Sequence, residues 1–269
     1  MARKPIIVGN WKMNNGPKAA AKFYDDLEKK INGTQDEIFN RIDWAIAAPY
    51  LSLPVMMASE IEGAKNEPLY IPLAAQNVNE NESGSYTGEI SVSMLQEYGV
   101  EYVIIGHSER KNNYGETDAI VNSKLKAVAT TLSSDEDYII PIVAFGETKE
   151  EYEKGKQEEI IKTQLTNRVK GLTSEQMKEV VLAYEPIWAI GTGLTATPEQ
   201  AQKACAYSRS VIADMYGQEV AKKVRIQYGG SMNPSNIKEL MFQKDIDGGL
   251  VGGASLEVDS FFELLLFNK

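Results

Sequence analysis

The chain has 269 residues, of which 43% are hydrophobic and 25% are charged, as is ordinary for a globular protein with a substantial core. Its formal net charge of −10 leaves no basic excess, which excludes a general nucleic-acid or anionic-membrane surface. An anionic substrate would therefore need local positive potential from a few side chains or from backbone N–H groups.

The cysteine and histidine contents limit the chemistry. Cys205 is the only cysteine, so no intrachain disulfide can form and a reducing compartment is expected. His107 is the only histidine, which excludes metal sites built on two or three imidazoles. The first residues have too short an apolar run for a signal peptide, and no segment approaches the ~20 apolar residues that span a bilayer. We expect a cytoplasmic protein that uses no metal and no cofactor.

Short strand-like runs alternate with helical patterns from end to end. Apolar spacing predicts a first long helix over 17–31, and Thr197 followed by Pro198 is typical of a helix start. The strand-like runs cover 5–13, 44–49, 69–76, 102–106, 138–145, 180–184, 224–227 and 249–251. The helical stretches cover 17–31, 53–61, 92–98, 119–132, 149–170 and 198–216, with a short helix after each of the last two strands.

Eight strand–helix units in strict alternation imply parallel strands joined by right-handed helical crossovers. Eight is the number that closes a (β/α)8 barrel, and the length of the chain fits one. A doubly wound open sheet is the structural alternative. Because no linker, low-complexity segment or repeat divides the chain, residues 1–269 are expected to form a single α/β domain.

In such a barrel, the chemistry is located where strands end and loops begin. Lys12 could bind a phosphate or polarise a carbonyl, and a neutral His107 could donate a hydrogen bond to a substrate oxygen. Glu185 could remove a carbon-bound proton, because burial in a dry pocket raises the basicity of a carboxylate. The alternative for Lys12 is an ordinary surface lysine, and the alternative for His107 is a structural histidine. The alternative for the segment after Glu185 is a purely structural loop.

Further features at the strand ends extend this site. Residues 186–193 have an apolar middle and small residues at the far end, as a lid would. Glycine pairs at 229–230 and 252–253 end the seventh and eighth runs, where barrels of this kind often bind phosphate. Glu109 is expected to hold Lys12 or to cap the next segment.

Seven strings, in order from the first strand to the last, resemble the triosephosphate isomerase family. They are GNWKMN at 9–14, AQN at 75–77, YTGE at 86–89, IGHSER at 105–110, AYEPIWAIGTG at 183–193, YGGS at 228–231 and VGGAS at 251–255. The resemblance implies an intramolecular aldose–ketose isomerase of glycolysis and gluconeogenesis. Its substrates would be dihydroxyacetone phosphate and D-glyceraldehyde 3-phosphate, converted through an enediolate without a cofactor.

The resemblance also implies a role for each matching residue. Glu185 would be the base that moves the proton between neighbouring carbons, and His107 would be the neutral electrophile on the carbonyl. Lys12 would stabilise the enediolate, with Asn10 supporting both. Backbone groups would bind the phosphate at Gly191, Ser231, Gly252 and Gly253.

Members of this family are usually obligate homodimers, so the resemblance implies a homodimer here. The loop over 79–89 would enter the partner subunit and bring Thr87 near Asn10 and Lys12 of the partner subunit. The sequence itself provides a long polar loop at this place but does not show a partner.

The chain departs from the family pattern at a few places. Ala144 stands where many members have a cysteine, and Leu194 replaces the lysine common at the end of the lid. Extra residues lie near 33–43, 63–68 and 133–137, in polar connections that we expect to lie away from the active face. None of these departures alters the expected catalytic residues.

Two other functions compete with the isomerase. One is an aldolase in which Lys12 forms a Schiff base with a carbonyl substrate. The other is a binding protein that keeps the barrel and has lost catalysis. Loss of Lys12, His107 or Glu185 would be typical of such a protein, and all three are present.

Overall fold

The computed structural model describes residues 3–58, 70–133, 138–190 and 195–267. Within these residues, eight parallel strands pair in chain order and the first also pairs with the eighth, which closes a barrel. The strands are β1 (Ile6–Asn10), β2 (Asp43–Ala47), β3 (Leu73–Ala75), β4 (Tyr102–Ile105), β5 (Ile140–Phe145), β6 (Val181–Tyr184), β7 (Arg225–Tyr228) and β8 (Gly248–Val251). The predicted (β/α)8 architecture is confirmed, and the doubly wound open sheet is wrong.

Helices connect the strands, and two of them have the predicted bounds. The helices are α1 (Pro17–Ile31), α2 (Gln35–Arg41), α3 (Leu53–Ala58), α4 (Val92–Glu97), α5 (Ser108–Tyr114), α6 (Asp118–Ala129), α7 (Lys149–Glu153), α8 (Gln157–Val169), α9 (Ser174–Glu179), α10 (Pro198–Tyr216), α11 (Gln218–Ala221), α12 (Ile237–Met241) and α13 (Val258–Leu265). Thr197 caps α10 in a reciprocal capping box with Gln200, as its sequence predicts. In the described part of the chain, no helix is long and apolar enough to cross a membrane.

Some boundaries differ from the sequence predictions for identifiable reasons. The first strand ends at Asn10, before the predicted end, because Lys12 adopts a left-handed φ of 54° that no strand residue has. The predicted helix over 149–170 is two helices, α7 and α8. Short helices such as α2 and α5 were not predicted, since two turns carry little periodicity. The segment 63–68 lies outside the described residues.

The core has two layers because successive strand residues face opposite sides of the sheet. On β1, Ile7 packs outward among the buried helix residues, whereas Ile6 and Val8 point into the barrel. Small side chains fill much of the interior, namely Ala45, Ala47, Ala74, Ala144 and Ala183. At the carboxyl ends of the strands the interior gives way to polar side chains, and these form the mouth of the barrel.

Candidate active site

Glu185 follows β6 directly and lies at the mouth of the barrel with a side chain that is almost fully buried, 1% exposed. Its Oε2 accepts the backbone N–H of Ser108 at 3.0 Å, and its Oε1 lies 2.9 Å from Nε2 of His107. Room for this side chain depends on Gly229, because a Cβ there would lie 2.9 Å from Cγ of Glu185. The glycine at the end of β7 therefore allows the carboxylate to reach the histidine.

His107 follows β4 and is the N-cap of α5. Its Nδ1 accepts the backbone N–H of Glu109 at 3.2 Å, so in the neutral imidazole the proton is on Nε2, which faces Glu185. The positive end of the helix dipole also disfavours an added positive charge at this position. The hydrogen bond at Nδ1 therefore fixes the tautomer of a neutral His107, which would donate through Nε2.

The two buried groups change each other's pKa. Burial alone would raise the pKa of Glu185, but the charge of His107 and the hydrogen bonds from His107 and Ser108 outweigh it, so its pKa is lowered. Burial alone would lower the pKa of His107, but the charge and hydrogen bond of Glu185 outweigh it, so its pKa is raised. The sequence-based expectation that burial decides the basicity of Glu185 is therefore wrong for this arrangement, because the carboxylate contacts the imidazole.

Lys12 lies across the mouth from Glu185 and is held by several contacts. Its Nζ is 2.6 Å from Oε1 of Glu109, and its backbone N–H donates to Oδ1 of Asn10 at 3.1 Å. Nε2 of Gln76 donates to the Lys12 carbonyl at 2.9 Å, which supports the left-handed backbone at this residue. Glu109 therefore contacts Lys12 as predicted, and its backbone also caps α5 through His107.

These residues surround a cleft of about 420 Å³. The predicted site residues that line it are Asn10, Lys12, His107, Glu109, Glu185, Ser231, Gly252 and Gly253. Residues of the proposed lid, including Ile187 and Ile190, close one side. Gly191 lies outside the described residues, as does Leu194. Thr87 is exposed on the loop after β3 and is not among the residues that line the cleft.

Glu147, at the end of β5, is a buried residue beside the lid to which the sequence analysis assigned no role. Its Oε1 accepts hydrogen bonds at 2.9 Å from Gln157 Nε2, the Tyr184 hydroxyl and Trp188 Nε1. Its carbonyl accepts the N–H of Ile187 at 3.1 Å. Burial raises the pKa of its carboxyl group. This carboxyl group fixes the start of the lid to the barrel, and its only signal in the sequence was its place at a strand end.

A second cavity, of about 1050 Å³, lies at the opposite end of the barrel. It is lined by the first residues of several strands, including Asp43 and Arg225. The carboxylate of Asp43 lies 2.5 Å from Arg225 Nη1 and 2.6 Å from Lys4 Nζ, so one carboxylate is paired with both cations. Across the residues that the structure places, no group of three or more histidine, cysteine or acidic side chains could hold a metal ion.

Comparisons with known proteins agree with this geometry. The chain matches the family described as triosephosphate isomerase over residues 5–267. Curated triosephosphate isomerases from Streptococcus pyogenes serotype M49 (strain NZ131) and serotype M1 are similar to it, each with 47% identity over 267 residues. Those alignments cover 99% of this chain and 99% of each relative.

Proposed function

The chain belongs to the triosephosphate isomerase family and is an isomerase, and on that premise we propose that Glu185, His107 and Lys12 perform its reaction. The reaction interconverts dihydroxyacetone phosphate and D-glyceraldehyde 3-phosphate. The observation that carries the assignment is the convergence of a buried carboxylate and a neutral imidazole at 2.9 Å on a cleft that Lys12 also lines. Removal of a proton from a carbon next to a carbonyl group needs a base that takes the proton and an electrophile that stabilises the carbonyl oxygen.

Glu185 moves the proton. Its ionised carboxylate takes a proton from the hydroxyl-bearing carbon of dihydroxyacetone phosphate, and the electron pair of the broken C–H bond forms the enediolate. The protonated Glu185 then returns the proton to the neighbouring carbon, which gives the aldehyde and restores the carboxylate. Because His107 contacts Glu185 in the free site, substrate must enter between them and replace that contact.

His107 and Lys12 stabilise the enediolate. Nε2–H of His107 can donate to the carbonyl oxygen as charge develops there and can pass the proton to the neighbouring oxygen. The Lys12 ammonium adds a fixed positive charge on the same cleft, and Asn10 supports the Lys12 backbone. Separation of His107 from Glu185 removes the influence that raises the pKa of His107, which favours the neutral imidazole in the complex.

The phosphate would bind on the other side of the cleft. Ser231, Gly252 and Gly253 line that side and expose backbone groups, and Gly191 of the lid would complete the set. The lid over 186–193 would close on the bound phosphate and exclude water from the enediolate. Its near end is fixed to the barrel through Glu147.

The contacts of Lys12 argue against the aldolase alternative. A Schiff-base lysine must attack as a free amine, usually in an apolar pocket. Lys12 instead forms an ion pair with Glu109 at 2.6 Å, on a cleft lined by polar side chains. Trapping with borohydride in the presence of a carbonyl substrate distinguishes the two reactions, since labelling of Lys12 would contradict the isomerase mechanism.

Exposed apolar side chains support a homodimer. Met13 is 96% exposed and Leu51 is 77% exposed, and both follow strands at the mouth of the barrel. Tyr86, in the loop after β3, and Tyr114, at the end of α5, are also exposed. Large exposed apolar side chains that follow neighbouring strands in this way often mark a protein interface. A second copy would cover them, with the loop over 79–89 bringing Thr87 near Asn10 and Lys12 of the partner subunit.

The remaining parts of the proposal concern organisation and compartment. All 269 residues would form one barrel domain, since the family match runs from residue 5 to residue 267. A cytoplasmic location is supported by the buried, unpaired Cys205, which suits a reducing environment.

Turnover of glyceraldehyde 3-phosphate by the purified protein, with a chelator and no added cofactor, tests the proposed reaction. Rapid conversion to dihydroxyacetone phosphate that is lost in Lys12→Met and in His107→Gln supports the assigned roles. No turnover by a folded wild-type protein would contradict the proposal. If Lys12→Met or His107→Gln converts substrate at the wild-type rate, the substituted residue has no role in the mechanism.

A further inference from the structure

Arg168, on α8, is a buried arginine directly behind the active site. Its side chain is 2% exposed, and its Nε lies 2.7 Å from Oδ1 of Asp118. Its Nη1 donates to the carbonyl oxygens of Gly106, at 3.3 Å, and of Ala144. One guanidinium nitrogen therefore joins the carboxyl ends of two neighbouring barrel strands, β4 and β5.

Each of these carbonyl groups lies close along the backbone to a proposed catalytic residue or to the group that holds it. The Gly106 carbonyl belongs to the peptide bond that joins Gly106 to His107. Ala144 precedes Phe145, whose carbonyl accepts the backbone N–H of Glu185 at 2.7 Å. The contacts of Arg168 thus act on the backbone supports of both His107 and Glu185.

The backbone around Arg168 fits this arrangement closely. Gly106 has a left-handed φ of 73°, and a Cβ at this residue would lie 3.0 Å from Nη1 of Arg168. Nδ2 of Asn122 donates to the Arg168 carbonyl at 2.7 Å, which fixes α8 against α6. The turn that points His107 into the cleft therefore has room for the guanidinium only because residue 106 is glycine.

Burial of a guanidinium in this space carries an unfavourable desolvation free energy. Removal of the charge from water costs several kcal/mol before the pairing with Asp118 and the two carbonyl groups offsets it. An apolar side chain of similar volume would fill the gap between α6 and α8 without that cost. What only the arginine supplies is a directed donor to two strand ends at once.

We propose that Arg168 is a positioning residue for the isomerase reaction, which sets the separation of His107 and Glu185 by joining the ends of β4 and β5. The inference rests on the catalytic roles proposed above for those two residues. The phosphate contacts lie on β7 and β8, away from Arg168, so the two parts of the site can be affected separately.

This separation predicts a specific kinetic result for Arg168→Met. The kcat should fall by about 10- to 100-fold, the range expected when a catalytic group is displaced by up to about an ångström. The KM should stay within about twofold, because the groups that bind the phosphate do not move. Arg168→Lys should lie between Arg168→Met and the wild type, since an ammonium can replace Nη1 but loses the contact of Nε with Asp118.

Arg209, on α10, provides a matched control. It is also a poorly exposed arginine, paired with Asp245 and Asp247 and bonded to the carbonyl groups of Ala221 and Val224. Its carbonyl contacts precede β7, at the amino-terminal end of the barrel. Arg209→Met should lower thermal stability and leave the kcat and KM of the folded protein unchanged.

The single histidine supplies an independent readout. Protein labelled with [15N]histidine gives imidazole signals from His107 alone. These signals should shift in Arg168→Met and Arg168→Lys and stay unchanged in Arg209→Met. If Arg168→Met does not fold, Arg168→Lys decides: a lower kcat with a shifted His107 signal supports the proposal.

Wild-type kcat and an unshifted His107 signal in folded Arg168→Met, or in Arg168→Lys if only that variant folds, would overturn the proposal and leave Arg168 a purely structural residue. That result would not affect the proposed function, which fails only if substitutions of His107 or Glu185 themselves leave turnover intact. The two failures are therefore distinguishable in one set of variants.

Discussion

Nε2 of His107 and Oε1 of Glu185 lie 2.9 Å apart at the mouth of the barrel, although one follows the fourth strand and the other the sixth. The proposed electrophile and the proposed base thus form a hydrogen bond in the free site. Because Ser108 N–H and Glu109 N–H hold the far sides of the two groups, the pair is oriented before substrate arrives. Substrate binding must replace this contact.

The pair should make stability depend on pH within a defined window. The lowered pKa of Glu185 gives stability that is present above its ordinary value of 4.5 and lost as pH falls through the lowered pKa. The raised pKa of His107 gives stability that is present below its ordinary value of 6.5 and lost as pH rises through the raised pKa. The difference in the free energy of unfolding between wild type and Glu185→Gln should therefore be largest between pH 4.5 and pH 6.5. Urea unfolding over a range of pH measures this, and a difference independent of pH would contradict it.

The tautomer of His107 can be observed directly, because the chain has no other histidine. In [15N]histidine-labelled protein with sn-glycerol 3-phosphate bound, we expect a neutral imidazole with the proton on Nε2, since Nδ1 accepts from Glu109. Glycerol 3-phosphate lacks the carbonyl group and so cannot react. An imidazolium in the complex, or a proton on Nδ1, would contradict the proposed electrophile.

The carboxyl group of Glu147 should be the main support of the lid's near end. Glu147→Leu removes the acceptor for Gln157, Tyr184 and Trp188, and each buried donor left unpaired costs about 1–3 kcal/mol. We expect a loss of stability of that order or more, measured by urea unfolding, and a changed fluorescence of Trp188. Trp188→Phe is the control, because it removes one donor and leaves Glu147 with the other two. A Glu147→Leu variant as stable as Trp188→Phe would show that the network contributes little.

The proposed homodimer can be tested at one exposed side chain. Met13→Asp places a charge at a residue that is 96% exposed in the single chain and that a partner would bury, so we expect monomers and reduced turnover. Phe242→Asp is the matched control, since Phe242 is 70% exposed after α12, in the connection between β7 and β8. Sedimentation equilibrium of both variants distinguishes the outcomes. A dimeric Met13→Asp variant would place the interface elsewhere.

The architecture could be predicted from sequence because the strand and helix periods alternate without interruption. The bounds of α1 and α10 follow from apolar spacing and from the Thr197–Pro198 start. The short helices α2 and α5 could not be predicted, because helices of two turns depend on their tertiary packing.

The sequence indicated which strand ends meet at the mouth of the barrel, but not the electrostatics of the side chains there. Parallel strands bring their carboxyl ends together, so Lys12, His107 and Glu185 were expected to meet. The direction of the Glu185 pKa was not predictable, because it depends on the distance to His107 rather than on burial. Arg168 gave no signal, since a basic residue within a charged helical stretch is typical of a solvated surface.

The most direct test of the account is the turnover of glyceraldehyde 3-phosphate by Glu185→Gln. The amide keeps the shape of the side chain and an oxygen for the Ser108 N–H, and it removes the base together with the negative charge that faces His107. We expect kcat to fall by about 10²- to 10⁴-fold, the usual contribution of a general base, in a protein whose circular dichroism spectrum is unchanged. A kcat within a few-fold of wild type would show that another group removes the proton and would contradict the mechanism.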